Sequence, residues 1–312
     1  MTDDQQLVNK LIRSSGVDHS IVNNSNVAHL FIHHHKVVGL HMVPGLEIDT
    51  EELDDGIKID VHVRKNTIIE KPVQMCFGMM PKEGVQRIIT NTNIGEGSHL
   101  NVFSHCTFPN AVDVKHIMDA KIIVGKNAHY SYFERHVHGD SGGVKVYPKA
   151  KIELKEKAHF KTEFELLTGR VGLIDIEYET NCGKSSVLEM MSRINGKGDD
   201  IIRINEAGNL IGDHARALLS SRVAVRGNAK AEVYNKLTAS GSYARGHVDC
   251  TEIIQDNGVV TAVPIVEVNN PKAHITHEAS LGSVDSKQLQ TLMARGLTED
   301  EATDLIIKGL LS

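Results

Sequence analysis

Three stretches of the chain, GEGSHLNVF, GKNAHYSYF and KEKAHFKTE, place His99, His129 and His159 at one phase, 30 residues apart. Further on, GDHARAL, GNAKAEV and SYARGHV place Ala215, Ala229 and Ala244 at half that period, 14 and 15 residues apart. One unit accounts for both spacings. It is a coil of about 30 residues made of two half-coils, each giving one strand to one of two facing sheets. Small residues recur where such a coil turns and neighbouring backbones stack closely. A β-sandwich also repeats its strands, at roughly 8–12 residues, but has no reason to hold histidines at a fixed phase. The repeat therefore predicts a mainly β fold, a parallel β-helix or solenoid. The three histidines are expected to stack as a ladder on one face.

The local pattern agrees. In GIKIDVHV, Ile57, Ile59, Val61 and Val63 alternate with Lys58, Asp60 and His62. KIELKEK, IIRINE and RVAVRG alternate in the same way, through Ile152 and Leu154, Ile202 and Ile204, and Val223 and Val225. A period of two marks half-buried strands. With no Trp and 4% aromatics, the core must rest on Ile, Val, Leu and Ala. Residues 3–14 read as a short helix with Leu7, Val8, Leu11 and Ile12 on one face. His33–His35 read as part of an extended run, where neighbouring side chains diverge and cannot share a metal ion.

The C-terminal residues change character. DSKQLQTLMARG starts with Asp285 as N-cap and ends at Gly296, and TEDEATDLIIKG starts with a Thr298/Glu301 capping box and ends at Gly309. Leu289, Leu292 and Met293 form one apolar stripe; Ala302, Leu305 and Ile306 form the other. These two helices are expected either to cap the solenoid or to present a partner surface. The expected organisation is an N-terminal helix with lead-in strands over 1–50, a β-helix core over 51–282 and a helical pair over 283–312.

Charge and cysteine usage narrow the function. A net charge of −6 argues against nucleic-acid binding, which needs a basic footprint. Cys76, Cys106, Cys182 and Cys250 lie far apart with no CxxC, so free thiols in a reducing compartment are expected. Cys76 and Cys182 read as ordinary buried thiols. MTDDQQLVNKLIRSSG is not a signal peptide, and no apolar run reaches the length of a membrane span, so a cytoplasmic protein is expected.

The stretch PKAHITHEASLG carries His274, His277 and Glu278 in the order H-x-x-H-E. Zinc proteases use H-E-x-x-H or H-x-x-E-H on a helix, and this segment is extended instead. His277 and Glu278 then point to opposite faces. Cys250 lies 27 residues before His277, close to one coil, so the two can occupy neighbouring rungs. His247 beside Cys250 suggests a lowered thiol pKa. A thiolate, an imidazole and a carboxylate together suit iron or an iron–sulfur unit. NCGKSS at 181–186 is not a P-loop, because Tyr178 stands where the first glycine belongs.

The run from HVDCTEIIQDNG through PIVEV and HEAS to LMARGLTEDEATDLIIKG resembles the C-terminal region of the SufB/SufD family. These are scaffold proteins of iron–sulfur cluster assembly in the SUF system. HCTFPNAVDVKHIMDAKIIVGKNAHYSYF is similar to the family's G-C-T-A-P region, with HCTFP in place of GCTAP. The resemblance implies a right-handed parallel β-helix with a helical C-terminal region. It implies that Cys250 receives or holds the nascent cluster, with Glu278 beside it and His277 contributed across the dimer interface as metal ligands, and that Cys106 accepts sulfur inside the β-helix. The C-terminal helices, through Leu289, Leu292, Met293, Leu305 and Ile306, resemble the docking surface for SufC, an ABC-type ATPase.

SufB-type and SufD-type residues thus coexist in one chain, which implies a homodimer doing the work of a heterodimer. Sulfur donors and apo-protein acceptors would be further partners, the cluster would be transient, and flavin binding stays open. The expected role is a non-enzymatic scaffold, with ATP hydrolysis left to the partner. Two competitors are an adaptor that only regulates the ATPase and a β-helix enzyme acting on carbohydrate.

Overall fold

The structure, a computed structural model, describes residues 9–14, 16 and 24–311. Residues 9–14 are helical (α1), with Leu11 and Ile12 buried against Phe31 and Cys76. Leu7 and Val8, expected on the same helix, lie outside the described residues. Nineteen strands follow. They are β1 His29–His33, β2 Lys36–His41, β3 Leu46–Leu53, β4 Gly56–Val63, β5 Val73–Gly78, β6 Glu83–Ile94, β7 His99–Phe108, β8 Asp113–Val124, β9 His129–His138 and β10 Val144–Leu154. They continue as β11 His159–Thr168, β12 Gly172–Cys182, β13 Val187–Gly196, β14 Ile201–Leu210, β15 Arg216–Val225, β16 Lys230–Ala239, β17 Arg245–Ile254, β18 Val259–Val268 and β19 His274–Gly282. Helices α2 Ser286–Met293 and α3 Glu299–Leu311 end the chain.

From β4 onward the chain alternates between two sheets, which are parallel throughout this region. Odd-numbered strands from β5 to β19 build one sheet and even-numbered strands from β4 to β18 the other. This is the parallel β-solenoid that the repeat predicts. His99, His129 and His159 stand in direct register on β7, β9 and β11. Their rings form the expected ladder, with centroids 5.7 and 5.4 Å apart. Register then passes from His159 to Val187, Arg216, Arg245 and His274.

The reason for the coil lies in its corners. Gly97, Asn127, Lys157, Ser185, His214 and Tyr243 occupy the same turn of successive coils, all at positive φ between 53° and 66°. Each reverses the chain between the sheets. From Asn127 to His214 the turn N–H donates to a carbonyl of the next coil, at 2.8–3.0 Å. Ala215, Ala229 and Ala244 follow such turns and are fully buried, as close coil stacking requires. Between the sheets, the inward residues of both faces form one continuous core from Ala28 to Cys250. Each buried Ile or Val, such as Ile202 or Val233, contributes about 1.5–3 kcal/mol.

Three details differ from the sequence reading. His33–His35 do not run along a strand. His33 ends β1, while His34 and His35 form the turn of an antiparallel hairpin with β2. His34 takes a positive φ of 60°, which a two-residue hairpin turn requires. The division expected after residue 50 falls inside β3, which pairs antiparallel with β4 along its whole length. Gly309 does not end its helix: α3 continues to Leu311, whose side chain is buried.

The helix starts are as expected. Asp285 accepts a hydrogen bond from the Gln288 N–H at 2.7 Å. Thr298 and Glu301 bond each other reciprocally at 2.8 and 3.3 Å. The helices do not cap the solenoid end. Ile306, Ile307 and Leu311 pack against Ala224, Ile253 and Val284 on its flank. Arg226 clamps α3 through Asp304 at 2.6 Å and Asp300 at 2.7 Å. Among the described residues, no helix is long and apolar enough to cross a membrane.

Candidate functional site

The last coil places Cys250 one strand from an uncovered edge. In β17, alternation turns Val248, Cys250 and Glu252 inward and His247, Asp249 and Thr251 outward. Cys250 pairs in register with Ala279 of β19, Val248 with His277, and Asp249 with Glu278. Parallel partners share a face, so His277 lies on the face of Cys250 and Glu278 on the opposite one. The structure therefore brings Cys250 and His277 to one surface of one sheet and does not bring Glu278 there. No strand pairs with the outer edges of β18 and β19 among the described residues, and His277 and Glu278 are both exposed.

The environment of Cys250 differs from the expected one. His247 does not activate it: the imidazole faces outward and bonds Thr276 Oγ1 at 2.7 Å. The Cys250 thiol is buried, and burial pushes its pKa up. Asn235 Nδ2, from the facing sheet, donates to its sulfur at 3.7 Å. At rest this is a protected thiol, not a thiolate.

Cys106 lies far inside. It projects from β7 into the interior beside Glu134 and His136 of β9, with His116 of β8 reaching in from the facing sheet. Glu134 Oε1 is 2.7 Å from His136 Nε2 and 3.9 Å from Cys106 Sγ. Burial holds His116 and His136 down to about 3 and pushes the Cys106 thiol and the Glu134 carboxyl up. All of these groups are thus driven towards their neutral forms.

The helix residues divide. Ile306 is spent on packing against the solenoid, with Leu289 and Leu292 half-buried beside it. Met293 and Leu305, with Leu310, stay exposed.

Residues 83–310 match the family model described as SUF system FeS cluster assembly, SufBD core domain. An iron-sulfur cluster assembly SufBD family protein of Pyrococcus horikoshii is 39% identical over 302 residues, covering 97% of this chain and 92% of the relative. One from Methanocaldococcus jannaschii is 38% identical over 276 residues, covering 88% and 87%. This chain belongs to the SufBD family.

In this SufBD protein, three buried polar residues near Cys250 escape a motif search. Glu252 lies two residues beyond Cys250 on the same inward face, with its carboxyl pushed up to about 7 by burial. Ser221, in register with Cys250, donates to Glu252 Oε1 at 3.4 Å. Glu206 of β14 is fully buried and accepts from Ser192 Oγ at 2.7 Å. The period-two pattern would have found Glu252. Glu206 and Ser192 come from facing sheets, and nothing in the sequence says which rungs oppose each other.

Glu206 carries a prediction. Burial raises its pKa to about 7 from 4.5. Its folded state holds a proton that the unfolded state loses first. Its stabilising contribution is therefore complete below about pH 4.5 and is lost as pH rises through about 7. Glu206→Gln removes that loss, and Asn235 Oδ1, in register and unpartnered, offers an acceptor for the new amide. The variant is expected to be more stable than wild type by up to about 3 kcal/mol at pH 8, the two converging near pH 4. Urea unfolding at both pH values checks this; equal or lower stability of the variant at pH 8 sinks it.

Proposed function

We propose that this chain is a scaffold on which an iron–sulfur cluster is built as a dimer, with Cys250 and His277 as ligands and a SufC-type ABC ATPase as partner. The observation that carries the reading is the placement of Cys250 one strand inside an unpaired, exposed sheet edge, with His277 on the same face of the edge strand. Thiolate and imidazole are the ligand types iron–sulfur units use. Glu278 lies on the outer face of the edge strand, and antiparallel pairing of two such edges keeps it there, so it is not a ligand of this site.

The edge itself suggests how two copies meet. The His274 N–H donates to Ala244 O at 2.9 Å. In a parallel strand the N–H and C=O of one residue point the same way, so Thr276 and Glu278 also bond inward. Ile275, His277 and Ala279 therefore present their backbone groups to the free edge. In β18 the Val259 N–H bonds inward to Ala229 O, which leaves Val260, Ala262 and Pro264 on the free side. Pro264 has no N–H to offer, so β19 is the uninterrupted template for pairing. Two β19 strands related by a two-fold run antiparallel and set the two Cys250 sites side by side.

In the same proposal, Cys106 accepts sulfur inside the solenoid, and the exposed apolar face with Met293 and Leu305 meets the ATPase. Nucleotide-driven closure of the ATPase would open the buried Cys250 thiol to iron and sulfur. Sulfur donors and apo-protein acceptors complete the cycle, and the chain itself hydrolyses nothing.

The test is anaerobic reconstitution with ferrous iron and sulfide, with sedimentation to report the oligomer. Ala279→Pro removes one free-edge donor and leaves the inward ladder to β17 intact. It is expected to shift the protein to monomer and to lose the cluster's visible absorbance together with the dimer. A monomeric variant that assembles the wild-type cluster sinks the interface reading. A Met293→Glu/Leu305→Glu variant is expected to keep the cluster and lose ATPase binding; unchanged ATPase capture sinks the docking assignment. A chain that stimulates the ATPase but never acquires a cluster is the regulatory adaptor instead.

A further inference from the structure

Deep in the solenoid, several rungs from Cys250, the fold assembles a second set of metal-ligating side chains. Cys106 and His136 are in register on neighbouring strands, and His116 reaches them from the facing sheet. One ligand atom from each lies within 4.8 Å of the others, and all three residues are buried. No other such trio occurs among the described residues.

The hydrogen bonds fix which atoms are free. The Arg170 carbonyl can only accept, so His138 Nδ1, 3.2 Å away, carries a proton. His138 Nε2 then accepts from His136 Nδ1–H at 3.1 Å. In the neutral imidazole, His136 Nε2 is therefore bare, and the Glu134 carboxyl 2.7 Å away holds the proton between them. His116 is fully buried, yet neither ring nitrogen has a hydrogen-bond partner. An imidazole buried with no protein partner at either nitrogen is costly, and such groups call for a ligand.

We propose that Cys106, His116 and His136 form a buried site for one divalent transition-metal ion of the zinc or ferrous type, with Glu134 as its neighbouring carboxylate. One thiolate and two imidazoles suit either ion. The charges also balance. The Cys106 thiol and the Glu134 carboxyl each release one proton to solvent, and the ion's two positive charges replace them. A neutral group results in an interior that tolerates no net charge. His138 holds His136 from behind, as the outer partners of metal-bound histidines do.

A void adjoins the site at Glu134. Glu134, Tyr132, Pro148 and Tyr178 line an internal cavity of about 60 Å³. Outside the even-numbered sheet lies a groove of about 800 Å³, and cavity and groove share Ala120, Lys149, Ala150 and Tyr178 as their wall. The ladder between β10 and β12 is interrupted there, at Tyr147 and Pro148. The inference stands whether or not Cys250 assembles a cluster, and it competes with sulfur acceptance at Cys106, because a metal-bound thiolate is already engaged.

Metal-free full-length protein titrated with Co²⁺ under anaerobic conditions tests it. The expected result is one tightly bound Co²⁺ per chain, with a near-ultraviolet thiolate-to-cobalt band and the visible bands of a tetrahedral ion. Cys106→Ser is expected to lose the thiolate band, and His136→Gln to weaken binding at least tenfold. Cys250→Ala is expected to keep both, which separates this site from the proposed cluster site. A second preparation, renatured with Co²⁺ present, covers slow entry into a closed interior. Competition with Zn²⁺ and with Fe²⁺ then ranks the two ions, and displacement by either supports the assignment. The proposal is overturned if both wild-type preparations bind no stoichiometric Co²⁺, or if the thiolate band of the Cys250→Ala variant survives the addition of Cys106→Ser.

Discussion

Cys250→Ala is expected to lower cluster occupancy at least tenfold after anaerobic reconstitution, while the fold stays close to wild type. The two halves of that expectation have separate causes. The occupancy falls because no other thiol reaches the open end: Cys182 is on β12 and Cys106 on β7. The fold survives because the substitution removes one sulfur, whose hydrogen bonds with Asn235, at 3.7 Å, and with Ser221 are weak ones. Such a change costs about 1 kcal/mol. Visible absorbance and iron content report the first half, and thermal unfolding of the cluster-free protein reports the second. Equal absorbance in wild type and variant would remove Cys250 from the site. A collapse in thermal stability would mean that the thiol is structural instead.

A large stability effect is expected at a corner between coils. A Cβ added at Gly212 would sit 2.1 Å from the Lys184 backbone nitrogen and 2.2 Å from the Gly183 carbonyl carbon of the preceding coil. Those atoms belong to the turn against which the next coil stacks, where the Gly212 N–H donates to Cys182 O at 3.0 Å. They cannot retreat without breaking that bond. Gly212→Ala is therefore expected to cost about 3 kcal/mol or more, a large value for one methyl group. In a stacked array each coil contacts only its neighbours, so the damage should split the unfolding transition rather than shift it whole. Calorimetry and hydrogen exchange would show early loss of protection after residue 212. A single transition lowered by less than about 1 kcal/mol would contradict the close approach.

The fold was legible wherever the repeat was strict. His99, His129 and His159 keep one phase because their coils have equal length, so the sequence period equals the structural register. Beyond His159 the partner is Val187, 28 residues on, and the later partners come at 29. A change of two residues at a corner leaves the strands intact and hides the repeat from a fixed-period search.

The site was legible in part for a similar reason. Period two correctly sets His277 and Glu278 on opposite faces, and it places Glu252 with Cys250. It says nothing about depth, so the proximity of His247 in sequence misled: the imidazole is outside and the thiol inside. Nor does it say which residue of one sheet faces which residue of the other. His116, Cys106 and His136 meet only because β8 lies across the interior from β7 and β9, a relation that strand alternation does not encode.

One consequence of the coil geometry concerns distance. β7 and β17, which carry Cys106 and Cys250, are separated by β9, β11, β13 and β15 in the same sheet. Five strand spacings of about 4.8 Å put the two thiols about 24 Å apart along the axis. Side-chain changes leave that length almost untouched. It alters only when a whole coil is gained or lost, and then by one spacing. The solenoid acts as a ruler with discrete marks, and any exchange between its deep interior and its open end must work at a length counted in rungs.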